Sequence, residues 1–141
     1  MIRLANKFDI DDIIELLKEF AINSDNVLTN NPLLWSKTHT QAILAGILAG
    51  NGFILIDNEK TGLLVAVKTQ CFWLKDVWQL QEVMLHTKSK ILSARLVKEY
   101  VKISREMLAK GEISQAVLAS YVGCDYSRLG LNKFELHWEI K

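Results

Sequence analysis

The sequence predicts an α+β fold: a central, mostly antiparallel twisted sheet of about six to seven strands with one parallel pair, flanked by about four helices. Three observations carry that expectation. Apolar runs of strand length alternate with longer segments of helical periodicity, in the order β-α-α-β-β-β-α-β-α-β. Two of the runs, residues 53–56 and 63–67, flank the turn-rich Asp57-Asn58-Glu59-Lys60-Thr61-Gly62, which is a hairpin signal. A strand–helix–strand unit late in the chain needs a crossover, and hence a parallel pair.

Composition sets the outer limits. A chain of 141 residues suits one domain, residues 1–141, with a single core. Half the residues are apolar and the net charge is +1, so no global field favours nucleic acid, and no nucleic-acid partner is expected. Cys71 and Cys124 make no disulfide framework, and no Cys/His cluster has metal-ligand spacing, so no metal is expected. The longest apolar stretch, residues 42–49, is interrupted by Gly46 and falls far short of the ~20 residues a spanning helix needs. With no signal pattern at the start, the expectation is a cytoplasmic protein without membrane contact.

The elements follow in order. Residues 1–4 read as a short strand. Asp9 is a candidate N-cap, with Asp11 and Asp12 in the first turn, ahead of Ile13, Ile14, Leu17, Phe20 and Ala21 at helical spacing. Residues 23–26 end that helix, and residues 29–32 are a polar connection with the chain's one proline. Leu33, Leu34 and Trp35 either begin a second helix or anchor one capped near Ser36, and Gly50-Asn51-Gly52 stops it. After the hairpin, an aromatic segment (Phe72-Trp73-Leu74-Lys75-Asp76) leads into a strand from Trp78. A period of two puts Trp78, Leu80, Glu82, Met84 and His86 on one face. The next helix carries Leu92, Leu96, Val97, Tyr100, Val101, Ser104, Met107 and Leu108 in one stripe, and Gly111 closes it. Residues 113–121 are a strand with both faces apolar, residues 123–130 a turn ending on Gly130. In the last strand Phe134, Leu136, Trp138 and Ile140 alternate with Glu135, His137 and Glu139.

Residues 83–101 (V-M-L-H-T-K-S-K-I-L-S-A-R-L-V-K-E-Y-V) stand out. An alternating strand runs through Thr87, Lys88, Ser89 and Lys90 straight into an amphipathic helix. Unpaired N–H groups at a helix start, with the dipole behind them and two lysines beside them, suit an anion such as phosphate. An ordinary strand–turn–helix joint with solvated lysines has the same appearance.

Two segments carry a family resemblance. The opening I-R-L-A-N-K-F-D-I-D-D-I-I-E-L-L is similar to the I-R-x-A strand and acidic-capped helix that start the Gcn5-related N-acetyltransferases (GNAT). Near the end, Tyr126-Ser127-Arg128-Leu129-Gly130-Leu131 resembles their Y-E-K-L-G-F signature. With the element order, the resemblance covers essentially the whole chain, and it implies that the parallel pair is splayed. It implies acetyl-CoA as cosubstrate, held by the strand backbone at Met84, Leu85 and His86 and by a pyrophosphate loop of Lys88, Ser89, Lys90, Ile91, Leu92 and Ser93. The family's Q/R-x-x-G-x-G/A pattern puts Lys88 first and Ser93 at the second small position. Ile91 stands where the first glycine belongs, and a Cβ there restricts close approach and any φ > 0 conformation.

By the same resemblance Tyr126 is the general acid that protonates the departing thiolate. Glu82 is the candidate general base, since an apolar strand face would lift its pKa. Its alternative is a carboxylate paired with a lysine. His86, roughly 13 Å along the same face, is a second candidate base, while His39 and His137 fall at solvent positions and Cys124 reads as a small turn residue. Trp35, Trp73, Trp78 and Trp138 line a pocket or partner surface, or pack in the core. The expected activity is transfer of an acyl group to a primary amine, on a small molecule or a peptide, by direct attack, in a possible homodimer. The alternative is an inactive GNAT-fold binding or assembly module, compatible with a viral or mobile-element origin, using residues 71–78 as its contact surface.

Overall fold

The computed structural model describes residues 1–23, 31–119 and 124–140. One sheet runs in spatial order β1-β2-β3-β4-β5, with β1 Ile2–Leu4, β2 Gly52–Asp57, β3 Gly62–Gln70, β4 Trp78–Thr87 and β5 Gln115–Val117. The first four strands pair antiparallel in turn, and β5 joins β4 in parallel. Three α-helices flank the sheet among the described residues: α1 Ile10–Asn23, α2 Lys37–Gly46 and α3 Lys90–Ala109. The mixed α+β class, the hairpin and the parallel pair are as expected, with fewer strands and helices among the described residues.

Each face of the sheet has its own core. On one, Ile13, Ile14 and Leu17 of α1 and Leu44 of α2 pack on Ile54, Ile56, Leu63 and Val65. On the other, Leu96, Val97, Tyr100 and Val101 of α3 pack on Leu55, Leu64, Ala66 and Leu80. Strands covered on both faces have no polar side to show, which is why residues 53–56 and 63–67 are continuous apolar runs. Each fully buried Leu or Ile contributes roughly 1.5–3 kcal/mol.

The local signals acted with one exchange of roles. Ser36 caps α2, its Oγ accepting from the His39 N–H at 3.2 Å, so Leu33 and Leu34 precede the helix in the turn Pro32–Leu34, where both are exposed and neither anchors it. Asp9 is not the N-cap. Asn6 takes that place for the turn Lys7–Asp9 leading into α1, accepting from the Phe8 N–H, and Asp9 answers by accepting from the Asn6 N–H at 2.9 Å. Asp9 is buried and receives both terminal nitrogens of Arg3, at 2.7 and 2.8 Å, a bidentate pair that ties β1 to α1.

The Arg3 bond holds the Asp9 carboxyl down at about 2, against burial, which opposes it. A carboxylate depressed when folded contributes stability above its unfolded pKa near 4 and loses it as pH falls towards 2. Asp9→Asn is therefore expected to cost on the order of 1–2 kcal/mol at pH 7 and nothing at pH 2. Urea denaturation at both values checks it, and an equal loss at both would refute the ion-pair account.

Two expected strands change. Of residues 113–121 only Gln115–Val117 pairs with β4; Ser120 and Tyr121 lie outside the described residues. Residues 134–140 are not in the sheet. They run without a ladder partner among the described residues, with Phe134, Leu136, Trp138 and Ile140 exposed. Alternation satisfies the pleat, but a strand also needs an edge to join. Of the turn at 123–130, Gly123 and residues 120–122 lie outside the described residues, and Ser127–Leu129 is one 3₁₀ turn closed by Gly130 at φ +74°. Residues 24–30, assigned to the end of the first helix and the following connection, also lie outside. No described helix is long and apolar enough to cross a membrane.

Candidate functional site

The strand β4 organises the site, and it does not keep a period of two. Val65 faces Met84 while Ala66 faces Glu82, so Val83 is an extra residue, a β-bulge without a partner on β3. The bulge swaps the faces of everything beyond it. Leu80 packs in the α3 core, whereas Met84 packs against the α1 side. His86 accordingly reaches Glu19 and Phe20 of α1. Glu82 and His86, expected on one face, lie on opposite faces, and a shared acid–base role for the two is excluded by that placement.

Glu82 is 6 % exposed. Among the described residues no lysine pairs with it; its Oε2 accepts from the Ala119 N–H at 3.1 Å. Burial lifts its pKa above the ordinary carboxylate range, with the Ala119 bond opposing. Ala119 lies just past β5, whose last pair with β4 is Val117 with Gln81. The ladder between the parallel strands ends there, one residue before Glu82. Beyond Gln81, the β5-facing edge of β4 has no ladder partner among the described residues.

Two tyrosines lie within the electrostatic reach of this carboxylate. Tyr100 of α3 donates to the Val117 carbonyl at 2.5 Å, tying the helix to β5 at its last ladder pair, and burial pushes its pKa up to about 12. Tyr126, half-buried against the α3 core, lies close enough to feel the Glu82 charge. Burial first, then Cys124 and Glu82, raise its pKa above the ordinary phenol value. The following turn is fixed to α3, since Arg105 donates to the Leu129 carbonyl at 2.6 Å. Tyr100 was legible in the sequence only as one member of a helical stripe.

At its far end β4 runs into α3 after two residues. Ser89, extended, caps the helix by accepting from the Leu92 N–H, and its carbonyl accepts from the Ser93 N–H. Lys90, Ile91, Leu92 and Ser93 are therefore the first helical turn rather than loop, and only Lys88 and Ser89 connect. Ile91 has helical backbone with its side chain 69 % exposed, so no left-handed residue is required of it. Lys88 is engaged: its Nζ lies 2.6 Å from Glu19 Oε1, while Glu19 Oε2 lies 3.1 Å from His86 Nε2. The Lys88 bond, then the His86 bond, hold the Glu19 carboxyl below the ordinary range. Nothing in the sequence marks Glu19, which is simply one of α1's polar residues.

The remaining candidates lie elsewhere. His39 and Cys124 are exposed, and His137 bonds Glu135 at 3.0 Å in the exposed segment. Trp35 packs beside the α1 core, whereas Trp73 and Trp138 are exposed.

The geometry brings together a parallel strand pair, a buried carboxylate, a half-buried phenol and a helix N-terminus at the strand's end. Solved structures show which fold this is. The chain is similar over its whole length to an acetyltransferase from Trypanosoma brucei (14 % identity, 98 % of that chain, TM-score 0.68). It is likewise similar to an aminoglycoside acetyltransferase from an uncultured soil metagenomic sample, solved with sisomicin (11 % identity, all of this chain and 95 % of that one, TM-score 0.64). A transcriptional regulator from Bacillus halodurans matches as well (16 % identity, all of this chain and 98 % of that one, TM-score 0.66). No family model matches the sequence, and no curated protein is similar to it. The chain has the GNAT fold.

Proposed function

We propose that the chain is an N-acetyltransferase that moves an acyl group from acetyl-CoA to a primary amine by direct attack. The observation that carries this reading is the β4 edge beyond Gln81, which has no ladder partner among the described residues and lies between the buried Glu82 and the start of α3. Such an edge offers backbone donors and acceptors to an extended amide-bearing chain, which is what the pantetheine arm is. The Lys90 and Ile91 N–H groups, with the α3 dipole behind them, would face the pyrophosphate, and Lys88 would add a point charge. Met84, Leu85 and His86 would supply the backbone contacts, with Ser89, Leu92 and Ser93 shaping the helix start.

In the reaction Glu82, kept basic by burial, takes a proton from the incoming ammonium. The neutral amine attacks the thioester carbonyl, the C–S bond breaks as Tyr126 gives a proton to the departing thiolate, and the phenolate takes back the proton that the new amide nitrogen sheds. The full-length likeness to acetyltransferases supports the reaction class, and the sisomicin-bound neighbour supports a small-molecule amine as acceptor. Calorimetry with acetyl-CoA and CoA, followed by thiol release with a panel of amines, tests it. Absence of binding at millimolar ligand would end the enzyme reading.

Glu19 bears on the same experiment. Lys88 must leave it to meet a phosphate, so Glu19→Gln is expected to tighten CoA binding about two- to five-fold, the scale of an exposed ion pair. In a Lys88→Ala background the gain should vanish. An unchanged wild-type affinity after Glu19→Gln would show that Lys88 contacts no phosphate.

A second reading, a binding module without catalysis, is favoured by the β3–β4 connection. Phe72, Trp73 and Leu74 are exposed there, the two rings 5.0 Å apart edge to face. Exposed aromatic clusters of this kind mark interaction surfaces. Intact partner binding with no response to CoA would select this reading.

A further inference from the structure

Tyr100 is a phenol set among aliphatic residues. It is 2 % exposed, lies with Leu96, Val97 and Val101 on the buried side of α3, and packs its ring near Phe53, the centroids 6.1 Å apart. A phenylalanine would fill the same space, so packing does not account for the hydroxyl, which costs free energy in a core unless it finds a partner. The partner is on another element: the Val117 carbonyl, 2.5 Å away. Val117 makes the last ladder pair of β5, with Gln81, and the next residue of β4 is Glu82.

We propose that Tyr100 is the positioning residue of the acyl-transfer site: by holding the end of β5 to α3, it holds the Ala119 N–H on Glu82. The inference rests on the reading of Glu82 as the base. Two residues separate the anchored carbonyl from that N–H, at most ~7 Å of chain, too short to absorb a shift of the strand end. Ala119 is exposed and carries only a methyl group, so its own side chain fixes nothing. Leu118, between the two, packs against the α3 core as well. The end of β5 thus takes its place from this helix.

The tie acts on the carboxylate in a definite direction. The titratable groups within its reach among the described residues are Tyr100 from α3 and Tyr126, itself beside Cys124. Burial is the first cause raising both phenols, so both are neutral at neutral pH. That leaves the Ala119 N–H as the donor that favours the charged carboxylate, against burial. Untying β5 loosens this bond, leaves burial less opposed and moves the Glu82 titration up.

Tyr100→Phe tests this, because it keeps the ring in the core and removes the hydroxyl. Val101→Ala is the control: it opens a gap in the same core and leaves the tie intact. Carboxyl ¹³C titration of Glu82, with the Ala119 amide followed over the same pH range, reads the geometry whether or not the chain transfers an acyl group. In the wild type and in Val101→Ala the amide should titrate together with Glu82. In Tyr100→Phe the Glu82 midpoint should rise and the amide response should be lost. The acid limb of kcat/KM should rise with that midpoint and kcat should fall ~10- to 10²-fold, the scale of a misplaced group, with acetyl-CoA affinity unchanged. An unmoved midpoint in Tyr100→Phe overturns the proposal. So does an equal displacement in Val101→Ala, which would make it an effect of core packing. A raised midpoint in a chain that acylates no amine supports the tie and refutes only the reading of Glu82 as a base.

Discussion

Gly52→Ala is expected to destabilise the protein by about 3–5 kcal/mol, more than ordinary overpacking at ~1–3 kcal/mol. Gly52 opens β2 and pairs with Val67 of β3. A Cβ on it would lie 2.0 Å from the Ala66 carbonyl oxygen and 2.9 Å from the Val67 Cα. Both are backbone atoms in the strand at the middle of the β2-β3-β4 ladder, so no rotamer change relieves the clash. Only lifting β2 off β3 does, and β2 carries Ile54 and Ile56 into one core and Leu55 into the other. Gly111 is the control. Its φ is +74°, but nothing lies within 4 Å of an added Cβ. Gly111→Ala should cost only the left-handed penalty of about 1–2 kcal/mol. Urea denaturation of the two variants separates close approach from backbone conformation. A Gly52→Ala protein within 1 kcal/mol of wild type would show that the two strands slide apart at little cost.

The sequence spoke clearly wherever one segment's own pattern decides the outcome. Period in the helices, the turn residues Asp57 to Gly62 and the Ser36 cap are of that kind. The Tyr126 motif forms the turn Ser127–Leu129 closed by Gly130, with Tyr126 packed against the α3 core. Sequence periodicity failed where a neighbour decides. The bulge at Val83 is invisible in W-Q-L-Q-E-V-M-L-H-T, because alternation continues through it; only pairing against Val65 and Ala66 shows that one residue is extra. That single residue moved His86 away from Glu82. The Glu19–Lys88 bond joins residues on different elements, and no local pattern encodes it. In residues 134–140 the alternation is real, but it specifies a face to be covered and not the surface that covers it.

The bulge also sharpens the largest functional expectation, because it sets Glu82 apart on the α3 face with Tyr100 and Tyr126. Glu82→Gln and Tyr126→Phe are each expected to lower kcat about 10²- to 10⁴-fold, the range for a positioned acid or base. Their pH profiles should differ. The Glu82 pKa is raised by burial, so the basic form accumulates as pH rises, and the acid limb of kcat/KM should lie above the ordinary glutamate value near 4.3. In Glu82→Gln that limb should disappear. Tyr126 is raised as well, by burial, so the phenol remains a proton donor through neutral pH and any alkaline limb lies above about 10. Stability separates chemistry from scaffolding. A carboxylic acid whose folded pKa is raised contributes most below its unfolded value and loses that contribution as pH rises through the folded one. Glutamine keeps the oxygen that accepts from Ala119, so Glu82→Gln should be no less stable than wild type at pH 7 while its turnover collapses. If turnover survives in both variants, the carboxylate is only the clasp that holds residue 119 to β4, and the β4 edge beside it binds without reacting.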